Sequence, residues 1–247
     1  MGPRPGSRGT GCRHRIAGWD QGVGRRLIIE TRRQQSRITR EYTRLARAYD
    51  TKWSFYVDAT TRSTLSRLNL RAHERLLDIG CGTGVLLHRL SADHPALQLT
   101  GLDPVPDMLR IARHRLAPDL ELCAGWAEAL PFMDDRFDVV VCCSMFHCIA
   151  RPDIALREVR RVLEPDGRLV ITDWCGDYLT CRMLKRYLRL SDRAQTYVHR
   201  AHELRQLAAS AGFAATTTDR YKISRLWGMM TMTLRPAHTS VPITTAR

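Results

Sequence analysis

Asp78-Ile79-Gly80-Cys81-Gly82-Thr83-Gly84 follows the apolar run Leu76-Leu77, and Asp103 lies nineteen residues past the last of these glycines. An apolar run ending in an acid reads as a buried parallel strand, and three glycines spaced two apart give a turn where a ligand can lie against bare backbone. Asp103 closes a second short apolar run, Leu97 to Leu102, at a place where a carboxylate can take both hydroxyls of a ribose. This is the layout of a nucleoside-cofactor site. Two further groups stand at the ends of later apolar runs: His147 within Ser144-Met145-Phe146-His147-Cys148-Ile149, and Asp173 before Trp174. A histidine there could take a proton from an acceptor near neutral pH, or serve as a hydrogen-bonded wall of the pocket.

These residues need a scaffold that brings strand ends together. Short apolar runs alternate with amphipathic segments, which predicts one α/β domain built on a doubly wound, mostly parallel sheet. The predicted strands cover 75–79, 97–102, 120–123, 138–143 and 168–173, with helices near 84–92, 105–116 and 153–163 between them. A turn at Asp166-Gly167 is expected to feed the fifth strand. A helix over 201–211, stopped at Gly212, precedes two segments, 215–223 and 226–234, that suit a closing antiparallel hairpin.

The glycine spacing departs from the G-x-G-x-x-G of dinucleotide sites, which counts against a nicotinamide dehydrogenase. It resembles motif I of the class I methyltransferases that use S-adenosylmethionine. The resemblance continues at Gly101-Leu102-Asp103-Pro104, at Ala127-Glu128-Ala129-Leu130-Pro131-Phe132, at Phe137-Asp138-Val139-Val140-Val141 and at Leu163-Glu164-Pro165-Asp166-Gly167. It covers roughly residues 42–235 and is similar to the branch holding the ubiquinone and menaquinone C-methyltransferases. The resemblance implies a seven-stranded sheet and methyl transfer to a small or lipophilic acceptor, with no metal. It also implies that Gly80, Gly82 and Gly84 approach the methionine part of the cofactor, Asp78 orients its ammonium end, Asp103 holds the ribose, and Pro104 and Met108 line the adenine. Cys81, Ala127 and Cys143 add to the wall. Where the branch carries an adenine-binding Asp, this chain has Trp126, whose indole cannot accept that hydrogen bond but can cover the ring face. By the same likeness Tyr42 to Asp50, with Trp53 and Tyr56, forms a lid helix near the cofactor.

The formal net charge is +14, unevenly spread. Residues 75–172 hold eleven Arg against fourteen acids, while the flanks are strongly basic. An anionic partner therefore suits the segments around the site: a phosphate-bearing substrate, an acidic lipid surface or RNA. Over 179–190 an apolar stripe of Leu179, Met183, Leu184, Tyr187 and Leu188 runs beside Arg182, Lys185, Arg186 and Arg189, a pattern that fits a pocket cover or a helix lying on an anionic bilayer. Residues 1–40, with ten Arg against two acids, read as a disordered arm, and 236–247 as a flexible tail. No export signal or membrane-length apolar run occurs, so a reducing, cytoplasmic setting with free cysteines is expected. His199 and His202 lack a third ligand nearby in sequence, and no metal site is expected. Two other readings stay open: an RNA methyltransferase, and a cofactor-binding partner subunit without catalysis. Neither the acceptor nor the oligomeric state is set by the sequence.

Overall fold

A computed structural model of the chain describes residues 24–190 and 197–237. Seven strands form one sheet: β1 (Arg75–Ile79), β2 (Gln98–Asp103), β3 (Glu121–Ala124), β4 (Phe137–Cys143), β5 (Leu163–Trp174), β6 (Phe213–Lys222) and β7 (Gly228–Pro236). Their order is β3-β2-β1-β4-β5-β7-β6. The first five run parallel, while β7 inserts antiparallel to both β5 and β6. The strand order reverses between β1 and β4, so a crevice opens at their carboxyl ends, where ligands of such sheets sit.

Alternation along each strand divides the core in two. Leu76, Val139, Val141 and Val170 face one side and pack under α4 (Val85–Asp93) and α5 (Pro106–Arg115). Leu77, Val140, Leu169 and Ile171 face the other, under α6 (Pro152–Val162) and α8 (Ala201–Ser210). With both faces covered, β1 carries no polar side chain except those at its ends and Asp78, and a buried acid in such a strand needs a reason beyond packing.

The N-terminal part departs from expectation. Helix α1 (Gly24–Leu45) begins inside the segment read as a disordered arm. Gln34 and Ile38 lie four apart on it and are buried, and the following turn places Ala46 against Val105 and Met108 at the start of α5. Arg-rich composition hid this apolar stripe. Residues 1–23 and 238–247 lie outside the described residues, while Pro236 belongs to β7. After α1 come α2 (Tyr49–Lys52) and α3 (Ser54–Leu65). The turn expected at Asp166-Gly167 is instead a bulge inside β5: Phe137 pairs with Leu163, but Val139 pairs with Arg168. A Cβ on Gly167 would stand 2.9 Å from the Asp138 carbonyl, so glycine lets the bulge close.

Arg168 then anchors the link between α3 and β1. Its buried guanidinium donates to both oxygens of the half-buried Glu74 at 2.8 Å, and to the carbonyls of Leu68 and Asn69 at 2.9 Å. Replacing Glu74 with Ala leaves a buried cation uncompensated, and urea denaturation is expected to show a loss of about 3–5 kcal/mol. A loss under about 1 kcal/mol would mean that the pair behaves as a surface bridge.

Candidate active site

The glycine turn is built by backbone conformations that only glycine adopts freely. Gly80, Gly82 and Gly84 have φ of 71°, 53° and 79°. The N–H groups of Gly80 and Cys81 donate to the Leu102 carbonyl at 2.7 and 3.0 Å, which ties the turn to β2. A Cβ on Gly80 would stand 2.7 Å from Met145, whereas one on Gly82 would meet nothing nearer than a carbonyl at 4.0 Å. Gly82 thus presents bare backbone to open space. Gly84 does different work from that expected: it caps α4 in the left-handed conformation, where a side chain would press on Leu116 and Ala112, and it does not line the cavity.

Two acids flank this turn. Asp78 is buried near the end of β1, and its Oδ1 has no hydrogen-bond partner. Burial first, and the Asp103 carboxylate second, push the Asp78 carboxyl well above its ordinary pKa. Asp103 accepts from the backbone N–H of Gly82 at 2.9 Å and of Val105 at 2.8 Å. Burial lifts it to about 6 despite those two donors.

Both acids open onto a cavity of about 130 Å³ that is partly continuous with solvent. Gly80, Cys81, Gly82, Asp103, Pro104, Met108, Trp126, Ala127 and Cys143 all line it, as the sequence implied. Glu128, which sequence reasoning passed over, joins them beside Trp126; its Oε1 accepts from Ala150 and Arg151 at 3.2 and 3.3 Å, and burial raises its pKa. Much of the remaining wall is apolar and aromatic, with Ile38 and Tyr42 from α1, Tyr56 and Val57 from α3, and Met145 and Ile149 after β4, but Gln35 from α1 and Thr60 and Thr61 from α3 add polar groups to it. Ser144, at the end of β4, holds φ at 58°, a strained value for a residue with a side chain. Gln35 and Ile38 could have been found from their helical spacing with Tyr42.

The helical lid is latched to the glycine turn. Asp50 in α2 accepts from the Thr83 hydroxyl at 2.7 Å and from Arg115 at 2.6 Å, and Arg115 also donates to the Thr83 carbonyl at 2.6 Å. Tyr42 and Tyr49 pack at 6.0 Å between centroids and both line the cavity beneath this latch.

His147 and Asp173 come together but do not line the cavity. The Asp173 Oδ1 lies 2.8 Å from His147 Nδ1 and accepts from the Trp174 backbone at 2.6 Å; Oδ2 accepts from the His147 backbone N–H at 2.8 Å. The imidazole stacks on Trp174, with centroids 4.9 Å apart, and Trp174 donates to Tyr56 at 2.6 Å. Burial opposes protonation of His147, yet the Asp173 carboxylate and the Cys148 thiol together outweigh it and raise the imidazole well above its ordinary pKa. An imidazolium locked in this way is a poor proton acceptor. The pair fixes the loop that carries Met145, Cys148 and Ile149.

A family model described as "Methyltransferase domain" matches residues 77–171. Demethylmenaquinone methyltransferase of Thermotoga maritima is 38% identical over 138 residues, covering 54% of this chain and 60% of that protein, so this chain spans less than two thirds of that relative. Malonyl-[acyl-carrier protein] O-methyltransferase of Laribacter hongkongensis is 31% identical over 205 residues, 76% of this chain and 67% of that one. Among solved structures, the methyltransferase bound to the Haloferax volcanii Trm112 activator superposes with a TM-score of 0.72 at 20% identity, covering 80% of this chain and 98% of that one.

The His147–Asp173 pair carries a pH signature. A histidine whose pKa is raised by folding contributes stability that is complete below about 6.5 and is lost as pH rises through the raised value. Urea denaturation between pH 6 and 9 should show this fall in the wild type and lack it in His147→Gln. The same slope in both would locate the titration elsewhere.

Proposed function

We propose that this chain, which belongs to the class I S-adenosylmethionine-dependent methyltransferases, transfers the methyl group of that cofactor to a small or lipophilic acceptor. The observation that carries the reading is the unpartnered Asp78 oxygen beside the open face of Gly82, in one cavity with Asp103. A buried carboxylate without a partner is costly unless a ligand supplies one, and an ammonium group fits it. Gly82 leaves the space that the methionine part requires. Asp103 keeps lone pairs free for ribose hydroxyls beyond its two backbone donors, and Met108 with Trp126 offers flat apolar surface for the adenine.

When bound, the cofactor supplies an electrophilic methyl group on a sulfonium. The chain's contribution is then mainly positioning, which can supply roughly 7–11 kcal/mol for a well-oriented pair. The acceptor is assigned to the part of the cavity walled by Ile38, Tyr42, Tyr56, Val57 and Ile149, a mostly apolar surface with Gln35, Thr60 and Thr61 as polar members from the same helices, which suits a lipophilic molecule with a polar group. Asp173 and His147 act as positioning residues: they hold the loop that walls this part, while the Asp50 latch holds the lid over it. Cys143 and Cys148 also face the cavity, and the Cys143 thiol is pushed up to about 12 by burial, which keeps it a neutral wall.

The test is calorimetric titration with S-adenosylmethionine and, separately, with NAD; binding of NAD alone would overturn the reading. An extract incubated with labelled S-adenosylmethionine then identifies the acceptor by the labelled product. Asp103→Ala is expected to weaken cofactor binding by about 1.5–3 kcal/mol through the loss of charge-assisted hydrogen bonds. Gly82→Val should abolish binding while circular dichroism shows a folded domain; an unchanged Kd would remove the turn from the site.

Affinity should also follow the ionisation of Asp103. Below about 6 this carboxyl is protonated and accepts less well, so affinity should rise from pH 5 to 7 and then level off. The unliganded protein should move oppositely. Between the unfolded value of about 3.9 and the folded value of about 6, the native state binds more protons, and stability falls as pH rises. A cofactor affinity flat across this range would detach Asp103 from the ribose.

A further inference from the structure

Helix α7 (Leu179–Leu190) follows the end of β5, yet none of its described residues lines the cavity. The side chains of Leu184, Lys185 and residues 187–190 lie outside the described set. What is described points outward: Leu179 and Met183, four apart on one side of the helix, are 62% and 64% exposed. The helix is held at its start, where the buried Cys181 thiol bonds the Gly228 carbonyl at 3.2 Å and accepts from the Gly228 N–H at 3.3 Å. That fixes α7 beside the β6–β7 turn, whose Leu226 is 64% exposed. Trp227 in the same turn packs edge-on against Trp53 at 6.2 Å and lies 5.7 Å from Tyr56, a residue of the cavity wall. Three separate segments thus meet at one rim of the cavity and expose apolar side chains there.

The same segments are basic. Lys52, Arg182, Arg186, Lys222 and Arg225 are exposed, and residues 51–55, 178–186 and 222–228 contain no Asp or Glu. Lys52 lies over the Trp53 ring at 5.8 Å and Lys222 over the Tyr178 ring at 5.6 Å, so the cations stand at the edge of the aromatic cluster. The acids that flank these segments are engaged elsewhere: Asp50 with Arg115 at 2.6 Å, Asp58 with Arg62 and Arg89, Asp177 with Arg220 at 3.2 Å, and Asp219 with Arg67 at 2.8 Å. Exposed aliphatic side chains ringed by cations and backed by tryptophans match the two attractions of an anionic bilayer, apolar burial at the headgroup boundary and surface charge.

We infer that this rim, formed by the start of α7, the β6–β7 turn and the α2–α3 junction, is a docking surface for an anionic lipid membrane. Among the described residues no helix is long and apolar enough to cross a bilayer, so the contact is peripheral. An RNA surface would use the cations but leave Leu179, Met183 and Leu226 without a role. Taken with the proposed methyl transfer, seating this rim on a membrane turns the wall at Tyr56 toward a lipophilic acceptor dissolved there.

The experiment is co-sedimentation of the full chain with vesicles of phosphatidylcholine alone and of phosphatidylcholine with phosphatidylglycerol. Two variants accompany it: Leu179, Met183 and Leu226 changed together to Gln, and Lys52, Arg182, Arg186, Lys222 and Arg225 changed together to Gln. The wild type should partition about tenfold more strongly onto the anionic vesicles, an advantage that fades as salt shortens the screening length from about 10 Å at 0.1 M. Each variant should lose about tenfold of that partitioning while titrating S-adenosylmethionine as the wild type does; this last control separates failure of the rim from failure of the methyltransferase reading. Equal binding to both vesicle types, or undiminished binding by either variant, would overturn the inference. Salt-sensitive binding to a structured RNA that falls in the cationic variant but not in the apolar one would also overturn it, in favour of a nucleic-acid surface.

Discussion

Two carboxylates kept out of water beside a turn of bare backbone are the constraint around which this fold is arranged. Asp78 and Asp103 end neighbouring parallel strands, in a register that pairs Asp78 with Gly101 and Ile79 with Leu102. Neither acid finds a cation among its protein neighbours, and Asp103 raises the pKa of Asp78. Such a pair costs the empty protein free energy that apolar residues would not. On the proposed function that cost is offset when a cationic, hydroxyl-bearing ligand matches the same charges. Stability is therefore held elsewhere, in the two apolar layers of the sheet and in the buried Arg168–Glu74 pair on the far side of β1.

That division of labour explains the lid. α1 and α2 do not belong to the doubly wound core, yet they close the cavity that the core leaves open. Among the contacts that keep them there are the Asp50 latch to Thr83 and Arg115, Gln34 donating to the Cys148 carbonyl at 3.1 Å, the Tyr42 hydroxyl 3.6 Å from the Cys148 thiol, and the packing of Tyr42, Ala46 and Tyr49 on α5. Asp50 and Arg115 remain about a third exposed, so their ion pair is screened and weak. A cover fastened in part by screened polar contacts opens more readily than the sheet it lies on, which a buried cavity needs if its ligands are to exchange.

The strands and the acids at their ends were legible because buried parallel strands advertise themselves as continuous apolar runs and glycine turns have few substitutes. The cofactor end of the cavity followed from the same signals at Asp78, Gly82 and Asp103. The acceptor end was harder to read. Ile38 sits in a stretch so rich in arginine that composition outweighed its helical spacing with Gln34 and Tyr42. Glu128 shows the opposite failure: its neighbours matched a family pattern, but only the fold reveals that the loop after β4 folds back to donate to it. His147 and Asp173 were correctly placed at strand ends. Sequence could not show that the chain turns both side chains toward each other and away from the cavity.

Charge is distributed by the same logic. Through the sheet, arginines are consumed by acids: Arg75 with Asp138 and Glu164, Arg136 with Glu121, Arg161 with Glu158 and Asp134. Exposed pairs of this kind add little stability, typically about 0.2–1 kcal/mol, but they cancel the local field. The excess positive charge is left to the flanking segments, among them the rim at α7 and the β6–β7 turn. A chain of this composition therefore does not carry a uniform cationic halo. It has a nearly neutral body with a negative interior at the site, suited to a cationic cofactor, and a positive rim beside the mouth, suited to an anionic surface. On the two proposals made above, cofactor and anionic surface would be sorted by sign before any specific contact forms.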